Sequence, residues 1–547
     1  MGLSAESLPA VPRTVLLMLS RRRVLVMALL VIMLMGFALA PNNFIPNTIG
    51  ESAAAPANQQ PENNAPADHA AHQDKPEETT PEHHSAVHSD AAGTAHATSA
   101  APAAASPVAS EAALIPANLD QPARRLDPVC DNFPDTSNIL IIMKTGATES
   151  YDRIPTQLLT VLRCIPEYFI YSDMEQTISG FHVRNALDNV LEEAMTDNPD
   201  FDLYRRQQQC AIDQDTCNAD QSGAHNGASD GWNLDKYKNI HIAEKVYAMR
   251  PNYDWYMTID ADTYVLWPTL MQWLSKLDPN HAAYMGNVAL LGSFPFGHGG
   301  SGYLLSKAAM KEFVGKHPGV ANAYDVTVKS VCCGDYMLAQ SVKDKTGLDI
   351  QQMWPTINGD KPFTMSFSRS TWCHPIVTMH HMNSEEVATF WDFENMHYNT
   401  TDEIKNKPML IKDIYHEFVA PRIKEKRELW DNMSDDVLLF DATDERTHKW
   451  QDWELHRRPK EEEMTPALRE AHHSADQCKA ACSGFSDCFQ WRFRGGVCSF
   501  ARSFKLGAPH HDDDQGRWVS GWELSRIQEF IDNEGDCPKV YWPNPPA

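Results

Sequence analysis

Three short runs in this chain contain almost no polar position: Ile139-Leu140-Ile141-Ile142-Met143, Tyr168-Phe169-Ile170-Tyr171 and Trp255-Tyr256-Met257-Thr258-Ile259. A strand with one wet face alternates polar and apolar residues, so unbroken runs of four to six predict strands buried on both faces, as in a parallel sheet covered by helices. A helix is predicted between the first two, from Ile154 to Arg163, and an amphipathic stretch from Leu234 to Met249 leads into the third. Strand, helix, strand alternation predicts an α/β fold. The runs end in Lys144-Thr145-Gly146-Ala147, Ser172-Asp173 and Asp260-Ala261-Asp262. Open α/β sheets gather ligands at the carboxyl ends of their strands, so Lys144, Thr145, Gly146, Asp173 and Asp260 are expected to line one cleft.

The 547 residues exceed one typical domain and predict a large core with a smaller module. A net charge of −26 excludes the basic footprint that nucleic acid requires. Val24 to Ala40 carries no charge and follows Arg21-Arg22-Arg23. At about 25 Å it matches a short transmembrane helix, and the arginines place the N-terminus, residues 1–23, in the cytosol. Ala38-Leu39-Ala40 resembles a processing site, but the length of the run and Pro41 favour a retained signal anchor. Residues 41–128, rich in Ala, Pro, His, Glu and Ser, read as a disordered lumenal stem. All twelve cysteines follow the apolar run, which fits an oxidising compartment. Asn399-Thr400-Thr401 and Asn432-Met433-Ser434 are glycosylation sequons.

Two features carry chemistry. Asp260 and Asp262, one residue apart at a strand end, can turn to the same side and hold a hard divalent cation through oxygen. Gly299-Gly300-Ser301-Gly302-Tyr303 precedes Leu304-Leu305-Ser306-Lys307, predicted to run into a helix through Met310 and Phe313. The glycines lack phosphate-loop spacing and no lysine follows in register, so this segment is expected to form a wall of the substrate site.

The segment from Asp254 to Val265, followed by the block from Gly299 to Lys307, resembles glycosyltransferase family 31. The likeness is greatest to core 1 β1,3-galactosyltransferases and their fungal-type relatives, with Fringe-like enzymes more distant, and it covers roughly Asn138 to Glu386. It implies a GT-A fold (Rossmann-like, nucleotide-sugar-binding) over residues 129–450, a manganese-dependent UDP-sugar donor and inversion at the anomeric carbon. By motif, Asp260 and Asp262 take the outer acidic positions of the family's triplet, with Ala261 in the middle. Asp335 takes the position of the catalytic base, although Gly334 departs from the acid the family places before it. Thr378-Met379-His380-His381-Met382-Asn383 matches the family's metal-histidine segment, with His380 as ligand and His381 as the alternative. Trp232, Lys238 and Tyr303 are further residues of the expected substrate cleft, Lys238 on the donor side.

After a charged linker at 451–474, Cys478, Cys482, Cys488 and Cys498 form a tight disulfide framework. With Phe489-Gln490-Trp491 as a strand, residues 475–547 resemble a PAN/apple module, a small disulfide-rich α+β unit. That likeness implies nested bridges, Cys478 to Cys498 and Cys482 to Cys488, leaves Cys537 for another partner, and implies a protein or carbohydrate ligand. Taken together, the resemblances imply a Golgi or ER type II membrane enzyme that moves galactose or an N-acetylhexosamine from a UDP-sugar to lumenal glycoprotein or glycan acceptors in β1,3 linkage. The alternative is a catalytically silent lectin-like or adhesion protein on the same fold.

Overall fold

A computed structural model describes residues 127–209, 227–398, 407–443 and 450–543. The tail, the apolar run at 24–40, nearly all of the 41–128 segment, Asn399, Cys210 and Cys217 lie outside these residues. Among the described residues no helix is long and apolar enough to cross a membrane.

The first part of the described chain gives β1 (Ile139–Lys144), α1 (Ser150–Leu159), β2 (Tyr168–Ser172), β3 (Gln176–Ile178), β4 (Phe181–Asn185), α2 (Gly227–Asp235), α3 (Lys238–Met249), β5 (Trp255–Asp260), β6 (Tyr264–Val265) and α4 (Trp267–Leu274). There follow β7 (Tyr284–Gly286), β8 (Val288–Leu291), β9 (Phe294–Gly297), β10 (Tyr303–Ser306), α5 (Gly334–Thr346), β11 (Gln351–Gln352), β12 (Thr378–Met379) and α6 (Ser384–Tyr398). Eight strands form a mixed sheet in the order β11-β7-β10-β5-β1-β2-β4-β3. Its centre is parallel, with β1 between β2 and β5, while β10 runs antiparallel to both β5 and β7.

The apolar runs are buried on both faces. In β1, Ile139, Ile141 and Met143 join the core on one side, and Leu140 and Ile142 join the core on the other. Tyr168 and Ile170 oppose Phe169 and Tyr171 in the same way along β2. This is the expected α/β sheet, and burial of these side chains at about 25 cal/mol per Å² is its main support.

Two local expectations are corrected. Leu304 and Leu305 are strand, not helix: they fill the gap between β5 and β7, and their side chains enter opposite cores. The helix begins only at Lys307, where the Ser306 hydroxyl caps it by accepting from the Ala309 N–H at 3.2 Å. The first helix spans Ser150–Leu159 rather than Ile154 to Arg163, because the backbone leaves helical geometry at Thr160.

The C-terminal part adds β13 (Lys426–Glu428), β14 (Trp430–Asp431), β15 (Val437–Leu439), α7 (Ala475–Ser483), β16 (Gln490–Arg494), β17 (Val497–Ala501), β18 (Ala508–Pro509), β19 (Val519–Trp522) and α8 (Leu524–Glu534). Five of these strands form an antiparallel sheet in the order β13-β19-β16-β17-β15. The nested bridges form as expected, Cys478 to Cys498 and Cys482 to Cys488, fastening α7 to β17 and to the turn before β16. The sheet starts at Lys426, ahead of the boundary at 450 drawn from the sequence, because β13 and β15 supply its two edges.

Cys537 finds its partner in Cys373. Phe367 and Phe504 exchange backbone hydrogen bonds of 2.9 and 3.1 Å, and Phe504, Trp522, Ile527 and Phe530 enter the same core as β1 and β5. The C-terminal part is therefore joined to the segment before β12 by a covalent bond and to the larger sheet by a shared apolar interior. Asn432 is corrected as a sequon: it is fully buried and its Nδ2 donates to the carbonyls of Trp491 and Gly521, so the folded chain offers no amide for glycosylation.

Candidate active site

The carboxyl ends of β1, β2 and β5 carry a ladder of alternating charge. Lys144, buried at the end of β1, reaches Asp235 at 2.6 Å and Asp260 at 3.1 Å. Lys238, wholly buried, donates to the Thr145 carbonyl at 2.9 Å and lies 3.5 Å from Asp173 and 3.6 Å from Asp235. Asp173 also accepts from the Ala147 N–H at 2.6 Å. Buried ions of this kind persist only when paired and hydrogen-bonded. Burial works against the Lys144 charge, yet Asp235 and Asp260 outweigh it and raise its pKa. Burial opposes the Asp235 carboxylate as well, but Lys144 and Lys238 hold its pKa below the ordinary value.

The structure thus brings Lys144, Thr145, Gly146, Asp173, Lys238 and Asp260 to one edge of the sheet. Lys238 is committed to protein partners there, and it ties the loop after β1 to α3. Asp235, which links both lysines, escaped the sequence reading. It sits at the end of a helix with no apolar run to mark it. Of the other cleft candidates, Trp232 is 61% exposed, whereas Tyr303 is buried in the sheet edge-on to Tyr284.

Asp262 and His380, far apart in sequence, meet through strand register. β6 pairs antiparallel with β12, setting Tyr264 opposite Met379, and the Met382 N–H donates to the Asp262 carbonyl at 3.0 Å. His380 Nε2 then lies 3.1 Å from Asp262 Oδ1. Gln157 pins the turn from below by donating to the carbonyls of Ala261 and Thr263. Ala261 is 3% exposed and points into the apolar core. A carboxylate at that middle position would be buried without a partner, which explains the alanine.

Asp262, His380 and His381 each offer one ligand atom, all within 4.8 Å of one another. His381 reaches this position through a left-handed backbone, φ 59°. Two buried atoms here lack a hydrogen-bond partner: His380 Nδ1, and Asp260 Oδ1, whose ion pair with Lys144 is not aligned as a hydrogen bond. Imidazole and carboxylate donors beside an unsatisfied buried oxygen fit a divalent cation. Burial would raise Asp262, but the hydrogen bond and charge of His380 draw it down to about 2. Burial opposes charge on His380, and Asp262 and Asp260 together raise its pKa. Asp260 is pushed up by burial, and by Asp235 and Asp262, against the pull of Lys144.

The glycine-rich segment is a turn between β9 and β10, and it touches both ends of the site. The Gly299 N–H donates to Asp335 Oδ2 at 2.9 Å. A Cβ on Gly300 would lie 2.1 Å from the His380 ring, so only glycine fits against the histidine. Thr263 Oγ1 donates to the Gly300 carbonyl at 2.7 Å, fastening the turn to the acidic motif.

Asp335 lies in the first turn of α5, where Cys333 holds the cap position without a side-chain hydrogen bond. Its carboxylate accepts from Gly299 and from the Tyr336 N–H at 2.8 Å. Burial pushes its pKa up to about 6, against those N–H donors and the Lys144 charge. Gly334, the departure from the family pattern, has a steric cause. A Cβ there would lie 2.4 Å from Asn239 Nδ2 and 2.8 Å from the Lys236 backbone, so the close packing of α5 on the α2–α3 junction excludes any side chain.

His298 also stands at this turn and was not singled out from the sequence, although it immediately precedes Gly299. Its ring lies 5.5 Å from that of His380 at 70°. Burial, followed by the charges of His380 and His381, holds its pKa down to about 4.

Residues 187–353 match the family model described as Fringe-like. The match takes in Asp260, Asp262, the glycine-rich turn and Asp335, while His380 lies beyond it. It supports the relationship to glycosyltransferase family 31 and a GT-A glycosyltransferase fold for this part of the chain.

Proposed function

We propose that the chain is an inverting, metal-dependent glycosyltransferase that transfers a hexose, galactose or an N-acetylhexosamine, from a UDP-sugar to glycoprotein or glycan acceptors in β1,3 linkage. The observation that carries this reading is the turn from His298 to Ser301, which contacts His380 of the Asp262, His380, His381 cluster on one side and Asp335 on the other. An in-line displacement needs a site for the leaving diphosphate and, across the transferred sugar, a carboxylate to take the proton of the attacking hydroxyl.

Asp262 and His380 would hold the cation, with His381 and Asp260 at its margin. Manganese bound there would supply Lewis-acid neutralisation of charge on the leaving diphosphate. Lys144 to Gly146, Asp173 and Lys238 shape the donor side. Asp335, held at the turn by the Gly299 amide, takes the acceptor proton. The compartment is the lumen of the Golgi or ER, reached by the anchor at 24–40. The C-terminal sheet with α7 is the PAN/apple-like unit, positioned to bind a protein or glycan.

Manganese-dependent hydrolysis of UDP-sugars by the purified chain tests the reading. The wild type is expected to release UDP only with the metal, and Asp262→Ala is expected to lose both hydrolysis and manganese-dependent UDP binding. Metal-independent UDP affinity in both proteins would count against it.

A further inference from the structure

The His298 side chain is held in one orientation and one tautomer by groups that have no other evident task. Its Nδ1 lies 3.2 Å from the Ser301 N–H and 2.8 Å from Ser301 Oγ. Ser301 is fully buried, and its hydroxyl oxygen accepts from Asn287 Nδ2 at 3.2 Å, which leaves the hydroxyl proton for the histidine. A backbone amide can only donate, so Nδ1 is an acceptor and the single proton of the neutral ring sits on Nε2. Nε2 has no hydrogen-bond partner among the described residues, yet it is not fully enclosed, in a side chain that is half-buried. The ring lies beside His380 at the metal cluster, and the next residue, Gly299, is bonded to Asp335. An N–H donor therefore stands beside the groups that would hold the leaving diphosphate, one residue along the turn from the amide that holds the group that would take the acceptor proton. The transferred hexose must lie between those groups in an in-line displacement.

We propose that His298 is a donor-specificity residue, whose Nε2–H donates a hydrogen bond to a hydroxyl or acyl oxygen of the hexose carried by the UDP-sugar. This rests on the glycosyltransferase reading. A fixed donor selects a sugar with an oxygen in the matching position over its epimer, whereas UDP alone gains nothing from it. Ser301 and Asn287 act as positioning residues by keeping Nδ1 an acceptor.

The test is titration calorimetry of the full-length chain in manganese, with UDP, UDP-galactose, UDP-glucose, UDP-N-acetylgalactosamine and UDP-N-acetylglucosamine as probes. Wild type is expected to bind at least one UDP-hexose more tightly than UDP. His298→Phe keeps an aromatic ring but lacks both nitrogens, the Nε2–H and the Nδ1 acceptor that faces Ser301. It should lose about 3–10-fold in affinity for that UDP-hexose, the range of one neutral hydrogen bond. Its UDP affinity should stay within about twofold of wild type, a split that general loosening of the turn would not produce. His298→Gln retains an N–H donor and should recover part of the loss. It also serves as the reference if the phenylalanine variant melts early.

Equal losses for UDP and UDP-hexose would assign His298 to the diphosphate site and overturn the proposal. No loss in either, or no preference of wild type for a UDP-hexose over UDP, would overturn it too. A wild-type chain with no UDP affinity in manganese would overturn the glycosyltransferase reading together with this one. Normal wild-type binding with an unaffected phenylalanine variant would overturn this one alone.

Discussion

The two large sheets of the molecule differ in the kind of polar group they leave buried without a partner. At the carboxyl edge of the first, charges are buried in a ladder that does not close: Asp260 Oδ1, Asp173 Oδ2 and His380 Nδ1 have no hydrogen-bond partner. In the second, Asn432 donates to two carbonyls and Gln490 Nε2 donates to the Asn432 carbonyl, while Arg492 pairs with Asp431 at 2.8 Å. Covalent bonds hold this second sheet to its helix α7, and the segment after α8 to the segment before β12. Unsatisfied buried charge destabilises a fold, so its concentration at one edge marks the place where a ligand is expected to complete the set. The second sheet leaves Trp491 Nε1 and Arg427 Nε without a partner, but among its unpartnered atoms there is no carboxylate or imidazole of the kind left open at the edge of the first.

The largest effect that would test this contrast is on chemistry. Asp335→Asn keeps size but removes the proton acceptor, and with it one of the two oxygens that accept from the Gly299 and Tyr336 N–H groups; turnover is expected to fall about 10²–10⁴-fold with UDP affinity nearly unchanged. Steady-state kinetics and calorimetry on the same variant decide it. Near-normal turnover would remove Asp335 from the mechanism.

The next effect lies on the supporting side. Replacing Cys373 and Cys537 together by alanine opens the bond between the segment after α8 and the segment before β12, and the expected cost is about 2–5 kcal/mol in denaturant unfolding. The shared core of Phe504, Trp522 and Phe530 should keep the fold recognisable. A loss below the error of the extrapolation would mean that apolar packing alone joins the two sheets.

The smallest effect concerns pH. Asp335 has its folded pKa raised from 3.8 to about 6 by burial, so the native state holds a proton there that the unfolded chain has released. This contribution is fully present below about pH 4 and is lost as pH rises through about 6. Asp335→Asn should therefore gain stability relative to wild type as pH rises from about 4 to above 6, read from melting temperatures of the two proteins. A constant difference across that window would show that the carboxyl is not held protonated.

Much of the larger sheet was legible in the sequence, because a strand buried on both faces cannot carry polar residues, and the runs at 139, 168 and 255 carry almost none. The acidic motif at the end of β5 was legible for the same reason: a polar pair breaks an apolar run where the strand meets solvent. Leu304 and Leu305 were not. A short apolar run next to a helical segment has no period of its own, and only the gap between β5 and β7 makes it a strand. The nested cysteine bridges were readable from the resemblance of their spacing to a known module. Cys537 was not, since its partner, Cys373, comes close only when the second sheet packs against the first.

What the sequence determined by itself is local: where strands end in carboxylates, where glycine replaces every other residue, and which cysteines lie within a few turns of one another. The tertiary structure decided what those features touch. Gly334 looked like a lost acid and proved to be the only residue that fits against Lys236 and Asn239. Asp235 and His298 carry no mark in the chain, because a side chain becomes a partner in a charge ladder or an open N–H donor through what surrounds it. Those surroundings come from residues brought together by strand register and sheet packing, interactions that depend on the whole fold and leave no period in the local sequence.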